Sequence, residues 1–292
     1  MADFETLDWY DAPKYYDIVF DEDTVVEADF LEAALAKHGL PAKRVGRLRV
    51  LEPACGSGRL VVEFARRGAR VAGFDLSQPM LGFAEQRLAQ EGLEAQLFEA
   101  SMQDFRVRGK FDLAHCLVST FKYVDTEEGA RSHLEGVARS LRPGGIYALG
   151  FHLSDYTSEQ VDRERWVAER DGSHVVCNIQ GWPPDRKTRT EQVRSRMVVT
   201  EGDLEKRLET NWTFRTYNAR QVRSLLRSVP ELEHVATYDF RYRIHQPGSL
   251  DGDHLDTLLI LRRRPQEAPP AVRRSKPASK GRAGSKKRRG SA

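Results

Sequence analysis

No run of about 18 apolar residues occurs in the chain, which argues against a transmembrane helix. The start, Met1-Ala2-Asp3-Phe4-Glu5, lacks the basic and apolar regions of a secretory leader, so a cytoplasmic protein is expected. Cysteine is scarce. Cys55, Cys116 and Cys177 are odd in number, with neither C-x-x-C spacing nor a metal-like pairing with histidine, so reduced, buried thiols are expected and no metal site. With 292 residues and 40% hydrophobic content, the chain can bury a sizeable core.

The most informative stretch is Val50-Leu51-Glu52-Pro53-Ala54-Cys55-Gly56-Ser57-Gly58-Arg59-Leu60, a buried strand that breaks into a glycine turn and restarts as a helix. Glycines at 56 and 58 remove the Cβ atoms that would hold a ligand off the backbone, and the helix start offers unpaired N–H groups. Two nucleotide-like ligands compete for such a turn, NAD and S-adenosylmethionine (SAM). The dinucleotide fingerprint G-x-G-x-x-G fails at its third glycine, where Val61 stands.

Further blocks follow in order. Arg70-Val71-Ala72-Gly73-Phe74-Asp75-Leu76 reads as a second strand ending in an acid about 20 residues past the turn, the distance at which a carboxylate can accept ribose hydroxyls. Ser77-Gln78-Pro79-Met80-Leu81 reads as an N-cap opening a helix. A third strand, 95–99, leads to Ser101-Met102-Gln103-Asp104, and Phe111–Val118 reads as the fourth, with His115 as a core histidine. Leu141-Arg142-Pro143-Gly144-Gly145 punctuates the next helix ahead of a fifth strand, 146–151.

Glu52-Pro53-Ala54-Cys55-Gly56-Ser57-Gly58, together with these ordered blocks over residues 48–152, resembles the acidic-x-Gly-x-Gly-x-Gly motif and layout of the class I SAM-dependent methyltransferases. Ala54 stands where the family has its first glycine, which requires a backbone there without positive φ. Ser101 stands where the family has an acid for the adenine amino group, and Gln103 or Asp104 are the substitutes. The resemblance implies a SAM site in which Glu52 lies near the methionine amino end, with Ala54, Cys55, Gly56, Gly58 and Arg59 forming the loop. Asp75 serves ribose, Met102 packs on the adenine face, Leu76, Met80 and Leu117 line the cofactor, and Tyr16, of a Tyr16-Asp17 pair, covers it. The [DN]-P-P-[YFW] box of nucleic-acid amino-methyltransferases and the Pro-Cys motif of RNA cytosine-5 enzymes are both missing.

The expected fold is α/β, a doubly wound seven-stranded mostly parallel sheet with its last strand antiparallel. Residues 1–45 form a helical preface in which Val26, Phe30, Leu31 and Leu35 recur at helical spacing before Gly39 and Pro41. Residues 46–152 form the SAM-binding core, and 153–217 an antiparallel β insert that covers the substrate or makes a homodimer interface. Residues 218–262 complete the sheet, and 263–292 form a disordered basic tail. From Arg262 onward the chain carries twelve Lys/Arg against one acid, leaving residues 1–261 with a net charge of −8. That tail suits nonspecific nucleic-acid contact as well as it suits a solvated solubility tail.

The layout is also loosely similar to amino-sugar N-methyltransferases. The expected activity is methyl transfer to N or O of a small-molecule acceptor, with His152, just past the fifth strand, as candidate general base. Two other readings stay open: an RNA or protein methyltransferase tethered by the tail, and a SAM-binding module without turnover.

Overall fold

The computed structural model describes residues 3–39, 47–252 and 254–265. A two-residue strand β1 (Glu5–Thr6) precedes helices α1 (Pro13–Phe20) and α2 (Thr24–His38). The core follows as β2 (Arg49–Pro53), α3 (Arg59–Arg66), β3 (Arg70–Asp75), α4 (Gln78–Gln90), β4 (Gln96–Glu99), β5 (Phe111–Cys116), α5 (Glu127–Ser140) and β6 (Leu141–His152). Four long strands come next: β7 (Asp162–Arg170), β8 (Ser173–Gly181), β9 (Thr190–Glu201) and β10 (Leu204–Arg215). Helix α6 (Ala219–Arg227) and strands β11 (Leu232–Tyr238) and β12 (Asp256–Arg263) complete the chain.

The core sheet has the order β11-β12-β6-β5-β2-β3-β4. The five contiguous strands β6, β5, β2, β3 and β4 are parallel, and β12 runs antiparallel to both β6 and β11. Both faces are covered at the centre of the sheet, so β2, β3, β5 and β6 are buried along most of their length rather than alternating. Helix starts follow their caps: the Ser77 hydroxyl accepts the Met80 N–H at 3.2 Å, the Thr126 hydroxyl accepts the Gly129 N–H at 3.0 Å, and Asn218 and Gln221 form a capping box on α6.

The insert is the expected meander, β7 to β10, with β1 added in parallel at its edge. Its inner face alternates: Val175, Cys177, Met197, Val199 and Leu208 pack with Trp9, Ile18 and Val19 from the chain's start. The aromatic preface therefore belongs to the insert's core, while α2 packs on the core sheet.

Three details depart from the sequence expectations. Val26 is half exposed, because the buried face of α2 is built from Thr24, Glu27, Ala28, Phe30, Leu31, Ala34 and Leu35. Leu141-Arg142-Pro143-Gly144-Gly145 lies inside β6, where an irregularity opposite Phe111–Leu113 absorbs it. Arg262 and Arg263 belong to β12, with Arg262 ion-paired to Glu233 at 2.7 Å, so the first tail arginines are part of the sheet. Pro41 and the rest of the tail from residue 266 lie outside the described residues. No helix among the described residues is long and apolar enough to cross a membrane.

Candidate functional site

Strand β2 delivers Glu52 and then turns sharply. Ala54, Gly56 and Gly58 have φ of 53°, 53° and 73°, so three residues of this turn are left-handed. Ala54 thus adopts the positive φ that an alanine was expected to avoid, a strain of about 1 kcal/mol or more. A Cβ on Gly58 would stand 2.5 Å from the Ala84 Cβ of α4, which requires glycine for close helix packing. A Cβ on Gly56 would meet nothing within 4 Å, which leaves the outer side of the turn open.

Asp75, at the end of β3, accepts the Gly56 N–H at 2.8 Å and the Ser77 N–H at 2.9 Å, tying the glycine turn to the second block. Burial raises its pKa, and these backbone bonds oppose that rise. Glu52 is buried; one oxygen lies 3.8 Å from the His115 Nδ1 and the other has no hydrogen-bond partner among the described residues. Burial pushes Glu52 up to about 8 and His115 down to about 3, so the histidine is neutral. An unpartnered carboxylate oxygen buried at this strand end calls for a cationic donor.

Tyr16 and Arg59 stand beside these acids. Burial pushes the Tyr16 phenol up to about 12, with Arg59, Asp75, Asp17 and Glu52 as its charged neighbours, so it remains a hydrogen donor. Arg59 is held by Glu27; burial alone would lower its pKa, yet Glu27 and Glu52 raise it further. Leu76 is 64% exposed and so presents an apolar surface at the β3 end. Met102 is partly buried against the core beside it in the chain's third loop, and the Ser101 hydroxyl is used within that loop, accepting the Gln103 N–H at 3.2 Å.

Other expected site residues have different surroundings. Met80 is 0% exposed, because the first turn of α4 aims it into the core, and it offers no side-chain surface to a ligand. Cys55 and Leu117 are buried, and burial pushes the Cys55 thiol well above its ordinary range, which suits packing against Gly73 rather than reactivity. His152 ends β6 and faces Asp256 across the ladder. Their side chains meet at 2.9 Å, and this bond holds the Asp256 carboxyl below its usual range.

Several supporting residues escaped the sequence reading. His133 of α5 joins the Met102 carbonyl at 3.1 Å and the Tyr147 hydroxyl at 2.7 Å, fixing the third loop; burial pushes it down to about 4, so it acts neutral. Asp17 is 1% exposed and gathers donors from three other segments. The Ser57 hydroxyl of the glycine turn donates at 2.7 Å, Arg170 of β7 donates at 2.5 Å, and Arg87 of α4 also pairs with it. Lys122, also buried, pairs with Glu191 of β9. A Tyr-Asp pair was visible in the sequence; nothing there signalled the distant arginines.

Residues 50–145 match the family model described as a methyltransferase domain. The chain is 25% identical over 217 residues to "Putative methyltransferase YqeM" of Bacillus subtilis (strain 168), covering 72% of this chain and 81% of that one. It is 33% identical over 100 residues to the dTDP-3-amino-3,4,6-trideoxy-alpha-D-glucopyranose N,N-dimethyltransferase of Streptomyces venezuelae. That match covers 34% of this chain and spans 40% of the relative. A solved S-adenosylmethionine-dependent methyltransferase from Clostridium acetobutylicum ATCC 824 has the same fold, with a TM-score of 0.69 at 18% identity over 88% of this chain and 99% of that one.

Proposed function

We propose that the chain, whose residues 50–145 match a methyltransferase domain and whose fold is shared with a solved SAM-dependent methyltransferase, transfers a methyl group from SAM to nitrogen or oxygen of a small-molecule acceptor of the amino-sugar type. The observation that carries the donor half is the buried, unpartnered Glu52 oxygen beneath an open glycine turn. Bound SAM would supply an electrophilic methyl on a sulfonium. Glu52 would accept from the methionine ammonium, and Asp75 has acceptor positions left for ribose hydroxyls after its two backbone bonds. Leu76 and Met102 would flank the adenine, and the protonated Tyr16 hydroxyl would donate from above.

His152 and Asp256 support the acceptor half. A carboxylate only accepts, so the hydrogen between them sits on His152 Nδ1 when Asp256 is ionised, leaving the Nε2 lone pair to take the proton that a nucleophilic amine or hydroxyl must lose. Orientation supplies much of the remaining acceleration, up to about 7–11 kcal/mol for ideal near-attack placement. The named activity of the Streptomyces venezuelae relative, on an amino sugar, supports that acceptor class.

The test is methyl transfer from labelled SAM to a panel of amino sugars, RNA and total protein. Label on an amino sugar, lowered at least tenfold in His152→Gln with SAM affinity unchanged, is the expected result. Label on RNA or protein alone would overturn the small-molecule reading, and wild-type turnover in His152→Gln would remove the base. A thermal shift by S-adenosylhomocysteine but not NAD tests the donor separately.

A further inference from the structure

The outer face of the insert sheet, turned away from the aromatic preface, holds a shallow concavity of about 510 Å³. Ladder register places its side chains in two rows. Arg163 of β7 lies opposite Gln180 of β8, which lies opposite Arg194 of β9; one pleat on, Arg165, Asn178 and Arg196 repeat the arrangement. Period-two alternation puts all four arginines on one face, about 7 Å apart along each strand and about 10 Å apart across the two strand spacings.

Their pairing is unusual for this chain. Arg170, Arg189, Arg196, Arg207 and Arg215 of the insert all have carboxylate partners. Arg163, Arg165 and Arg194 have none among the described residues: Arg165 reaches Asn178 at 3.4 Å and Arg194 reaches Gln180 at 2.7 Å, both neutral. The acids at hand are engaged elsewhere, Glu209 with Arg196 at 2.6 Å and Glu164 with the Trp166 indole at 3.2 Å. Glu209, paired with Arg196 and electrostatically felt by Arg194, is one carboxylate for four guanidiniums; the excess positive charge repels itself, and a bound anion relieves that repulsion.

Aromatic rings flank the array. Arg196 lies over the Phe4 ring at 4.9 Å and Arg194 over Trp182 at 5.3 Å. Cations that track a backbone beside rings that can stack are the ingredients of single-strand binding. A second copy of this chain docked face to face would set arginines against arginines, which a two-fold contact does not favour. The basic residues after Arg262 add a second cationic region to the same chain.

We propose that this face binds single-stranded nucleic acid through its phosphates, with Arg163, Arg165 and Arg194 as the contacts. This goes beyond the methyl-transfer reading and does not require the strand to be methylated.

The experiment measures fluorescence anisotropy of a labelled oligouridylate with the full chain and with Arg163→Ala/Arg165→Ala/Arg194→Ala, over a salt series. Expected are a loss of affinity of tenfold or more and a plot of log affinity against log salt shallower by about 2, at about 0.7 per lost contact to a single strand. Asn178→Asp, which keeps every arginine, should weaken binding in the same direction. Equal affinity and slope in wild type and both variants would assign all binding to the tail and overturn the proposal, as would no binding by wild type. Light scattering that shows a dimer dissociated by the triple substitution, without oligonucleotide binding, would assign the face to self-association instead. SAM affinity, measured on the same samples, should be unchanged in both variants, so failure here is distinguishable from failure of the donor site.

Discussion

The core sheet and the insert sheet are both well-formed β structures, yet they are held in different ways. Strands β2, β3, β5 and β6 are covered on both faces by apolar side chains, and the residues of the glycine turn lie within a few positions of one another. The insert buries one face only, partly against residues 9–20, where Arg170 pairs with Asp17, and it meets the core through ion pairs, Glu191 to Lys122 and Arg189 and Arg215 to Glu127, together with Trp212 and Phe214 packed on Tyr123. A doubly covered sheet carries its own stability. A singly covered one depends on partners distant in sequence.

Removing Asp17 should break that dependence most severely. Asp17→Ala removes the buried carboxylate shared by Arg87 and Arg170, which keep only the partly exposed Asp21 at 3.3 and 3.2 Å, and a loss of about 1.5–3 kcal/mol is expected from denaturant unfolding. Weaker S-adenosylhomocysteine binding should accompany it, because Ser57 loses its acceptor. Equal stability of the variant and wild type would show that the insert needs no such anchor.

Glu52→Gln tests the core with an effect that depends on pH. The folded carboxyl titrates near 8 against an ordinary value of 4.5, so burial favours the protonated form, and stability from this group is full below about 4.5 and declines as pH rises through 8. His115, with a folded value near 3, runs oppositely: its contribution is full above 6.5 and is lost as pH falls toward 3. Between pH 6.5 and 8 only Glu52 changes. In the ligand-free protein the melting temperature of Glu52→Gln should therefore rise relative to wild type across that window, while its SAM affinity falls at least tenfold. A constant difference in melting temperature would show that Glu52 is already ionised.

The smallest effect is expected at Ala54. Its left-handed backbone costs about 1–3 kcal/mol, and glycine relieves that strain while adding about 0.5–1 kcal/mol of unfolded-state entropy. Ala54→Gly should thus be neutral or stabilising by about 1 kcal/mol in chemical unfolding. A clear destabilisation would mean that the alanine methyl packs usefully.

The same contrast explains what could be read from sequence. Gly56 and Asp75 form a unit through a bond spanning 19 residues, and strand-turn-helix punctuation announces both. His152 could be placed at a strand end, but its partner Asp256 is 104 residues away and becomes visible only when β12 closes on β6. His133 carried no signal in the sequence, though it fixes the Met102 loop from 31 residues away. Met80 looked like part of the second block because it follows the N-cap, and only the direction of the first helical turn shows that it faces the core. Ala54 was judged by residue preference, whereas the bonds around the turn impose its conformation.

The aromatic residues at the chain's start have a consequence for modular exchange. Since Trp9, Ile18 and Val19 complete the insert's apolar face and β1 pairs with β10, the heritable unit is discontinuous: residues 5–20 together with β7 to β10. A chimera that transplants the loop between β6 and α6 alone carries half a module. Recombination among relatives that preserves function should exchange both segments at once, although most of the core sheet lies between them.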